Sequence, residues 1–434
     1  MFRRVLLPLF LGAFFLAFTT GASDIEYDVS ISLVNVWVKA TNGKGEPLQG
    51  LASSDFKVLE DGKPVDIQCF DEVKYNPPTE DPFAFFQEEP ASDKTEEQTE
   101  SKKFILFLDL LNTTTGELKF MTRAIQDFLL HNIGDDDQVM LAGLLPTRKL
   151  GVLVPFTDNH QYVADLIAKA PANQSRDNDV IQNERQLIQT IRTWEGTTST
   201  GLNVLAQTGS TPVDFYRQMS QTIRLMAAEE KYQGMFTLKA IRSFGDYLTQ
   251  KDLGNHTLII YIGGGFTIEP GVRYERIAEE AMKKYLVEAR AQIPEQIANM
   301  HEQDPDLITE IRNTTWYLNR LNITLYTLDS RGLVSGGSDI SQFEMTDIPA
   351  GKDFFGARGH QDALRFLADH TGGLSFTGSQ NVSRSFAGIL QDLNHQYLIC
   401  YRAPDHKKKG QYHKIEVTST KPDVKLRYRK GYYS

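Results

Sequence analysis

Phe104-Ile105-Leu106-Phe107-Leu108-Asp109, followed by Leu110-Leu111-Asn112-Thr113, is the stretch that decides the fold. Its first five residues are apolar without a break, so no side of the segment is left for water. A strand of this kind is covered on both faces, which is the habit of parallel sheets flanked by helices. Working outward, apolar residues recur at helical spacing from Leu118 to Leu130, and Gln138–Leu145 and Leu150–Phe156 read as two more strands. Further on, Phe236–Leu248 is helical, His256–Ile262 is a strand leaving through Gly263-Gly264-Gly265, and Ile323–Asp329 is another strand. Gln361–His370 reads as a helix closed by Gly372-Gly373, Leu374–Thr377 as a short strand and Val382–Asn394 as a last helix. Strands alternating with helices predict an α/β domain over 103–395, a doubly wound, mostly parallel, Rossmann-like sheet.

Two long insertions interrupt this alternation. Residues 171–232 are rich in Asn, Gln, Thr and Ser, and residues 268–320 carry charged pairs such as Glu279–Lys283 at i,i+4 spacing. Both leave the sheet beside strand ends, where ligands of open α/β sheets bind. They read equally well as functional loops or as neutral decoration.

The two ends of the chain alternate at period two instead. Tyr27–Val38, Phe56–Glu60 and Val65–Phe70 are predicted strands, the last two joined by the turn Asp61-Gly62. Gln396–Tyr401, Tyr412–Thr418 and Val424–Arg429 are their counterparts at the other end. Neither set has enough strands to be stable alone. The economical arrangement is one antiparallel β-sandwich split between a β unit at 23–72 and the strands of 396–434. An acidic, Pro-rich linker at 73–102 leads from the first part into the α/β domain. The two cysteines, Cys69 and Cys400, read as a disulfide or as separate buried thiols. Both fall on strands of the proposed sandwich, which favours the bridge, and it would close a very long loop.

At the N-terminus Arg3-Arg4 precede an apolar run from Val5 to Phe18, and Thr20-Gly21-Ala22 offers small residues for cleavage. Residues 1–22 therefore read as a secretory signal peptide cleaved near Ala22, because the run falls short of the ~20 residues of a spanning helix. The expected location is secreted or periplasmic. With 46 Lys and Arg against 56 Asp and Glu the net charge is −10, which argues against nucleic acid as a partner. Only the segment Tyr401–Ser434 is basic, with ten Lys or Arg against three Asp or Glu. It is the one candidate for contact with a membrane surface, and it reads as the solvated face of edge strands.

No catalytic motif stands out. The glycines at 263–265 lack the spacing of a phosphate-binding loop, and neither a His-Glu-x-x-His pair nor a Gly-x-Ser-x-Gly elbow is present. A hydrolase of unrecognised type stays open as an alternative, since catalytic groups assemble in space.

The strand ending in Asp109-Leu-Leu-Asn-Thr113 resembles the first strand and loop of a von Willebrand factor type A domain. The wider pattern is similar to the acidobacterial von Willebrand factor A-related proteins. It rests on Leu33–Val38, Asp55–Gly62, Ile105–Thr113, Leu258–Phe266, Leu325–Gly332, Tyr397–Tyr401 and Arg429–Tyr433. These segments span nearly the whole chain after residue 22. The resemblance implies an exported bacterial protein with a flanking β unit and no established chemistry.

Type A domains hold Mg²⁺ through an Asp-x-Ser-x-Ser loop, a later Thr and an Asp after the fourth strand. Transferred residue by residue, Asp109 matches the first Asp, Thr113 stands for the second Ser and Thr237 for the later Thr. Leu111 occupies the first Ser position, and Gly263–Gly265 occupy the turn of the second Asp. The resemblance thus implies a degenerate site, with Asn112 or Asp329 as compensating oxygens and no cofactor expected. Asp109 reads alternatively as a cap for the following helix. The expectation is an exported, non-enzymatic binding or adhesion-type protein with a protein or envelope ligand; a structural component of envelope assembly is the other reading.

Overall fold

The computed structural model describes residues 33–74, 102–172, 182–183, 185–190, 212–251, 253, 256–285, 307–332, 354–378, 381–404 and 410–433. At 212–216, 280–285, 354–359 and 433 it describes the backbone alone. The expected signal peptide, nearly all of the acidic linker and half of the insertion at 171–232 lie outside these residues, as does part of the insertion at 268–320.

The chain enters through β1 (Leu33–Thr41), β2 (Phe56–Glu60), β3 (Lys63–Val65) and β4 (Ile67–Lys74). The α/β body follows, with β5 (Lys103–Asp109), α1 (Thr115–Asp127), β6 (Gln138–Leu144), β7 (Leu150–Thr157), α2 (His160–Ile167) and α3 (Pro212–Thr249). It continues with β8 (Thr257–Gly263), α4 (Val272–Tyr285), α5 (Ile308–Arg320), β9 (Ile323–Asp329), α6 (Phe354–Thr371), β10 (Ser375–Phe376) and α7 (Val382–Asn394). β11 (His395–Arg402), β12 (Tyr412–Ser419), β13 (Lys425–Arg427) and β14 (Gly431–Tyr433) close it.

The body is a six-stranded sheet in the order β10-β9-β8-β5-β6-β7, parallel except for β7, which pairs antiparallel with β6. Six of seven residues of β5 and all seven of β9 are buried, as unbroken apolar strands demand. Phe104, Leu106 and Leu108 meet Met121, Ile125 and Phe128 of the α1 region and Phe386 and Ile389 of α7. On the other face, Ile105 and Phe107 meet Leu238, Ile241 and Phe244 of α3, Leu318 of α5 and Leu364 of α6.

Two elements differ from the sequence reading for physical reasons. Residues 308–320, read as part of a charged insertion, form α5, whose Ile311, Thr314, Thr315 and Leu318 are buried against the body. It is a covering helix of the β8–β9 crossover. The stretch 65–70, read as one return strand, is divided at Asp66. β3 pairs with β2, whereas β4 pairs with β11 in another sheet.

Two four-stranded antiparallel sheets flank the body, in the orders β13-β1-β11-β4 and β14-β12-β2-β3. Each draws strands from both chain ends. Their shared core holds Val34, Val36, Val38, Phe56, Val58, Tyr397, Ile399, Ile415 and Val417. Cys69 faces Cys400 across the β4–β11 register and is bonded to it, with Cα atoms 5.0 Å apart. Glu60 is buried in the same unit and accepts from Tyr401 Oη at 2.7 Å and Tyr432 Oη at 3.0 Å. Burial raises both phenols far above the ordinary tyrosine range, so they stay protonated donors. Among the described residues no helix is long and apolar enough to cross a membrane.

Candidate functional site

The sheet reverses its winding direction between β5 and β8. Strands added after β5 go to one side (β6, β7), and the later ones go to the other (β8, β9, β10). In such a sheet the connections diverge at that point and leave a crevice at the carboxyl ends of the strands. Asp109 ends β5 there and Gly263 ends β8 beside it.

The crevice floor is a buried polar cluster. Asp109 is fully buried, and its Oδ1 accepts from the Asn112 backbone N–H at 3.1 Å. Its Oδ2 accepts from Asn112 Nδ2 at 2.7 Å and from the Tyr261 hydroxyl. Asn112 Nδ2 also donates to Thr237 Oγ1 at 2.7 Å, reaching across from the β5 loop to α3. Thr113 Oγ1 donates to the Asp109 carbonyl at 2.6 Å. The structure therefore brings Asp109, Thr113 and Thr237 together, with Asn112 as the link between the carboxylate and the distant threonine.

Mg²⁺ is a hard ion that takes oxygen ligands and keeps several waters. The residues do not fit it. An amide N–H₂ group stands between Asp109 and Thr237, a donor where a cation needs acceptors. Leu111 is 5% exposed and packs in the hydrophobic core, so it brings no ligand. Thr113 points its proton at its own loop backbone. A side chain at position 263 has no room either, since a Cβ there would lie 2.8 Å from the Asp109 Cβ.

Asp109 is not the helix cap that the alternative reading made it. Thr114 caps α1, accepting from Glu117 N–H at 3.2 Å while Glu117 Oε2 accepts from Thr114 N–H at 2.8 Å. The Thr-x-x-Glu spacing at 114–117 carries that signal in the sequence.

Asp329, weighed as a compensating ligand, is engaged elsewhere. Arg331 Nε and Nη2 donate to its two oxygens at 2.8 and 3.0 Å, and Gln361 Nε2 adds a third contact at 3.1 Å. Ser330 lies beside it, with its N–H on the Gly263 carbonyl at 3.2 Å and its Oγ 3.4 Å from Glu117 Oε2. Among the described residues, Arg331, Gln361 and Glu117 are partly buried polar groups of this edge.

No protein-family model matches the sequence, and no curated protein matches it. Among solved structures the chain is similar to an aerotolerance-related membrane protein from Bacteroides fragilis, crystallised with multiple mutations to serines. That likeness has 11% identity and a TM-score of 0.30, and covers 68% of this chain and 99% of the other. By its own strand order the chain is a mixed α/β protein with a six-stranded, mostly parallel sheet and flanking antiparallel sheets.

Proposed function

We propose that the chain is an exported, non-enzymatic binding protein built on a type A-like domain, and that it engages a protein or envelope ligand at the carboxyl edge of the sheet without an ion. The observation that carries this reading is the polar cluster at the switch point. Asp109, Asn112, Thr237 and Tyr261 satisfy one another by hydrogen bonds where a metal-dependent domain would keep open oxygens. A floor completed in this way is rigid and pre-organised, which lowers the cost of binding. The rim, with Arg331, Gln361 and Glu117, sets a guanidinium whose fork is bonded to Asp329 near an amide and a carboxylate, a polar set suited to polar groups of a partner surface. The strand order with one antiparallel edge supports the type A-like reading, and the Cys69–Cys400 bond suits an oxidising compartment.

The test is capture of a partner from the native envelope fraction by the chemically cross-linked, leaderless protein, run in parallel with Mg²⁺ and with EDTA. The same partner is expected in both, and its recovery is expected to fall when Arg331→Ala removes the rim donor. Recovery that requires Mg²⁺, together with calorimetric Mg²⁺ binding abolished by Asp109→Ala, would sink the ion-free reading. Turnover of a substrate lost on a single polar substitution at this edge would sink the non-enzymatic one.

A further inference from the structure

α3 is far longer than the sheet it covers. Its 38 residues reach about 57 Å, against about 23 Å for the seven residues of β5. Thr237 meets Asn112 at the carboxyl edge, and Gly245 packs beside Ile323 at the start of β9, so the helix runs antiparallel to the strands. The half that precedes Thr237 therefore rises past the carboxyl edge. Its inward side is apolar and buried through Met219, Ile223, Met226 and Ala227.

The outward side carries a second apolar stripe. Gln221, Leu225, Ala228, Tyr232, Met235 and Lys239 are all exposed and follow one another at alternating steps of four and three residues. That is the 3.5-residue repeat with which two helices pack along a shared seam. In the half of α3 that covers the sheet the exposed positions are Lys239, Ser243, Asp246 and Thr249, all polar, as a solvated helix face requires. In the projecting half the centre of the seam is Leu225, 74% exposed, with Ala228, Tyr232 at 48% and Met235 at 44%. A lone exposed leucine is ordinary, but four consecutive apolar positions on one seam form a contiguous patch.

Tyr232 is held in place by its own chain. The Arg148 guanidinium lies over its ring at 4.9 Å and donates to Glu229 Oε1 at 3.1 Å. With Leu225 and Tyr232 at heptad position a and Ala228 and Met235 at d, Arg224 stands at g and Glu229 at e, and both are exposed. In a parallel, in-register pair the g residue of one helix faces the following e residue of the other. Arg224 then meets Glu229 of the second copy, and symmetry repeats the contact. An antiparallel pair sets g against g and e against e, so these two charges gain no opposite partner in each other. The surface complements itself, as a two-fold contact between identical chains needs.

We propose that the projecting half of α3 is the interface through which two copies of this chain associate, as a parallel helix pair around Leu225, Ala228, Tyr232 and Met235. The two-fold axis then runs along the helices, and both carboxyl edges face the same way. A ligand-bearing surface that engages one edge holds the other close to it, which multiplies affinity without a new contact. The pairing itself stands whether or not that edge binds a ligand.

The experiment is sedimentation equilibrium of the leaderless chain. It runs up to protein concentrations on the order of 100 µM, because a contact of two heptads sits at the small end of interface sizes. A dimer is expected. Leu225→Glu changes an exposed position, so its urea midpoint should match the parent while its dissociation constant rises about tenfold or more. Arg224→Glu should weaken the dimer, and Arg224→Glu combined with Glu229→Arg should restore it. Ala228→Cys and Met235→Cys, each oxidised in the native state, should both give a cross-linked dimer, since only a parallel register brings each position to its own copy. A monomer throughout the range overturns the proposal, as does a dimer that Leu225→Glu leaves intact. Cross-linking at one of the two cysteine positions but not the other overturns the parallel arrangement.

Discussion

Gly263 shows how one hydrogen atom can decide the floor of the crevice. β8 runs between β5 and β9, and at its last residue the backbone passes so close to Asp109 that a methyl group would sit 2.8 Å from the Asp109 Cβ and 3.4 Å from the Tyr261 ring. Both neighbours are locked in the hydrogen-bonded cluster and cannot swing away freely. Gly263→Ala should therefore destabilise by about 1–3 kcal/mol, the usual cost of overpacking a rigid site. Gly151→Ala on β7, where an added Cβ meets nothing within 4 Å, should stay within about 0.5 kcal/mol of the parent. Urea denaturation of the two variants measures the difference, and equal midpoints would refute the close approach. The sequence already displays Asp109, Thr113 and the glycines. It does not display the part played by Asn112 or Tyr261. Tyr261 reads as one more aromatic in a buried strand, and the link from Asn112 to Thr237 joins residues 125 positions apart.

Individual elements were legible where a local rule sufficed and obscure where a distant partner ruled. β5, β6, β8 and β9 follow from unbroken apolar runs, because burial on both faces leaves no other composition possible. The first half of α3 was harder. It falls within the Asn-, Gln-, Thr- and Ser-rich insertion of 171–232, although Met219, Ile223, Met226 and Ala227 are buried at helical spacing and Pro212 stands where helices begin. The division of 65–70 between two sheets has no local signal, since each half alternates correctly for a strand and only the partner strand distinguishes them. α1 is the element with the clearest local prediction. Its N-terminus depends on the reciprocal pair of Thr114 and Glu117, and its buried Leu118, Met121 and Ile125 make the helix part of the core. Thr114→Ala should cost about 1 kcal/mol of stability, while Thr114→Ser should recover most of it by restoring the acceptor oxygen. Chemical denaturation of the pair tests this; an Ala variant as stable as the Ser variant would mean that the cap contributes nothing.

On the scale of the whole molecule, the antiparallel sheets enclose the chain topologically. β11 lies between β1 and β4, so the strand that follows the α/β body is gripped on both sides by strands that precede it. The basic character of the C-terminal segment belongs partly to this architecture. Arg427 and Arg429, which count in the sequence as part of a solvated basic face, turn inward to Asp392, Gly372, Asn319 and Asn35 at the junction with the body. The bond from Cys69 to Cys400 fastens β4 to β11 across a sequence separation of 331 residues. In the chain-entropy model a loop of that length stabilises by roughly 6 kcal/mol, although measured disulfides give about 2–4. The same loop contains the acidic, Pro-rich stretch after β4, so a single protease cut there separates the N-terminal strands from the remainder in sequence but not in covalent structure. On denaturing gels the two fragments of such a nicked chain should migrate together without reductant and apart with it. Cys400→Ser should release the fragment under both conditions and lower the urea midpoint by an amount corresponding to about 3 kcal/mol. Fragments that separate without reductant in the parent chain would show that the two ends are not joined, and the enclosure of the α/β body would then rest on β-pairing and core packing alone.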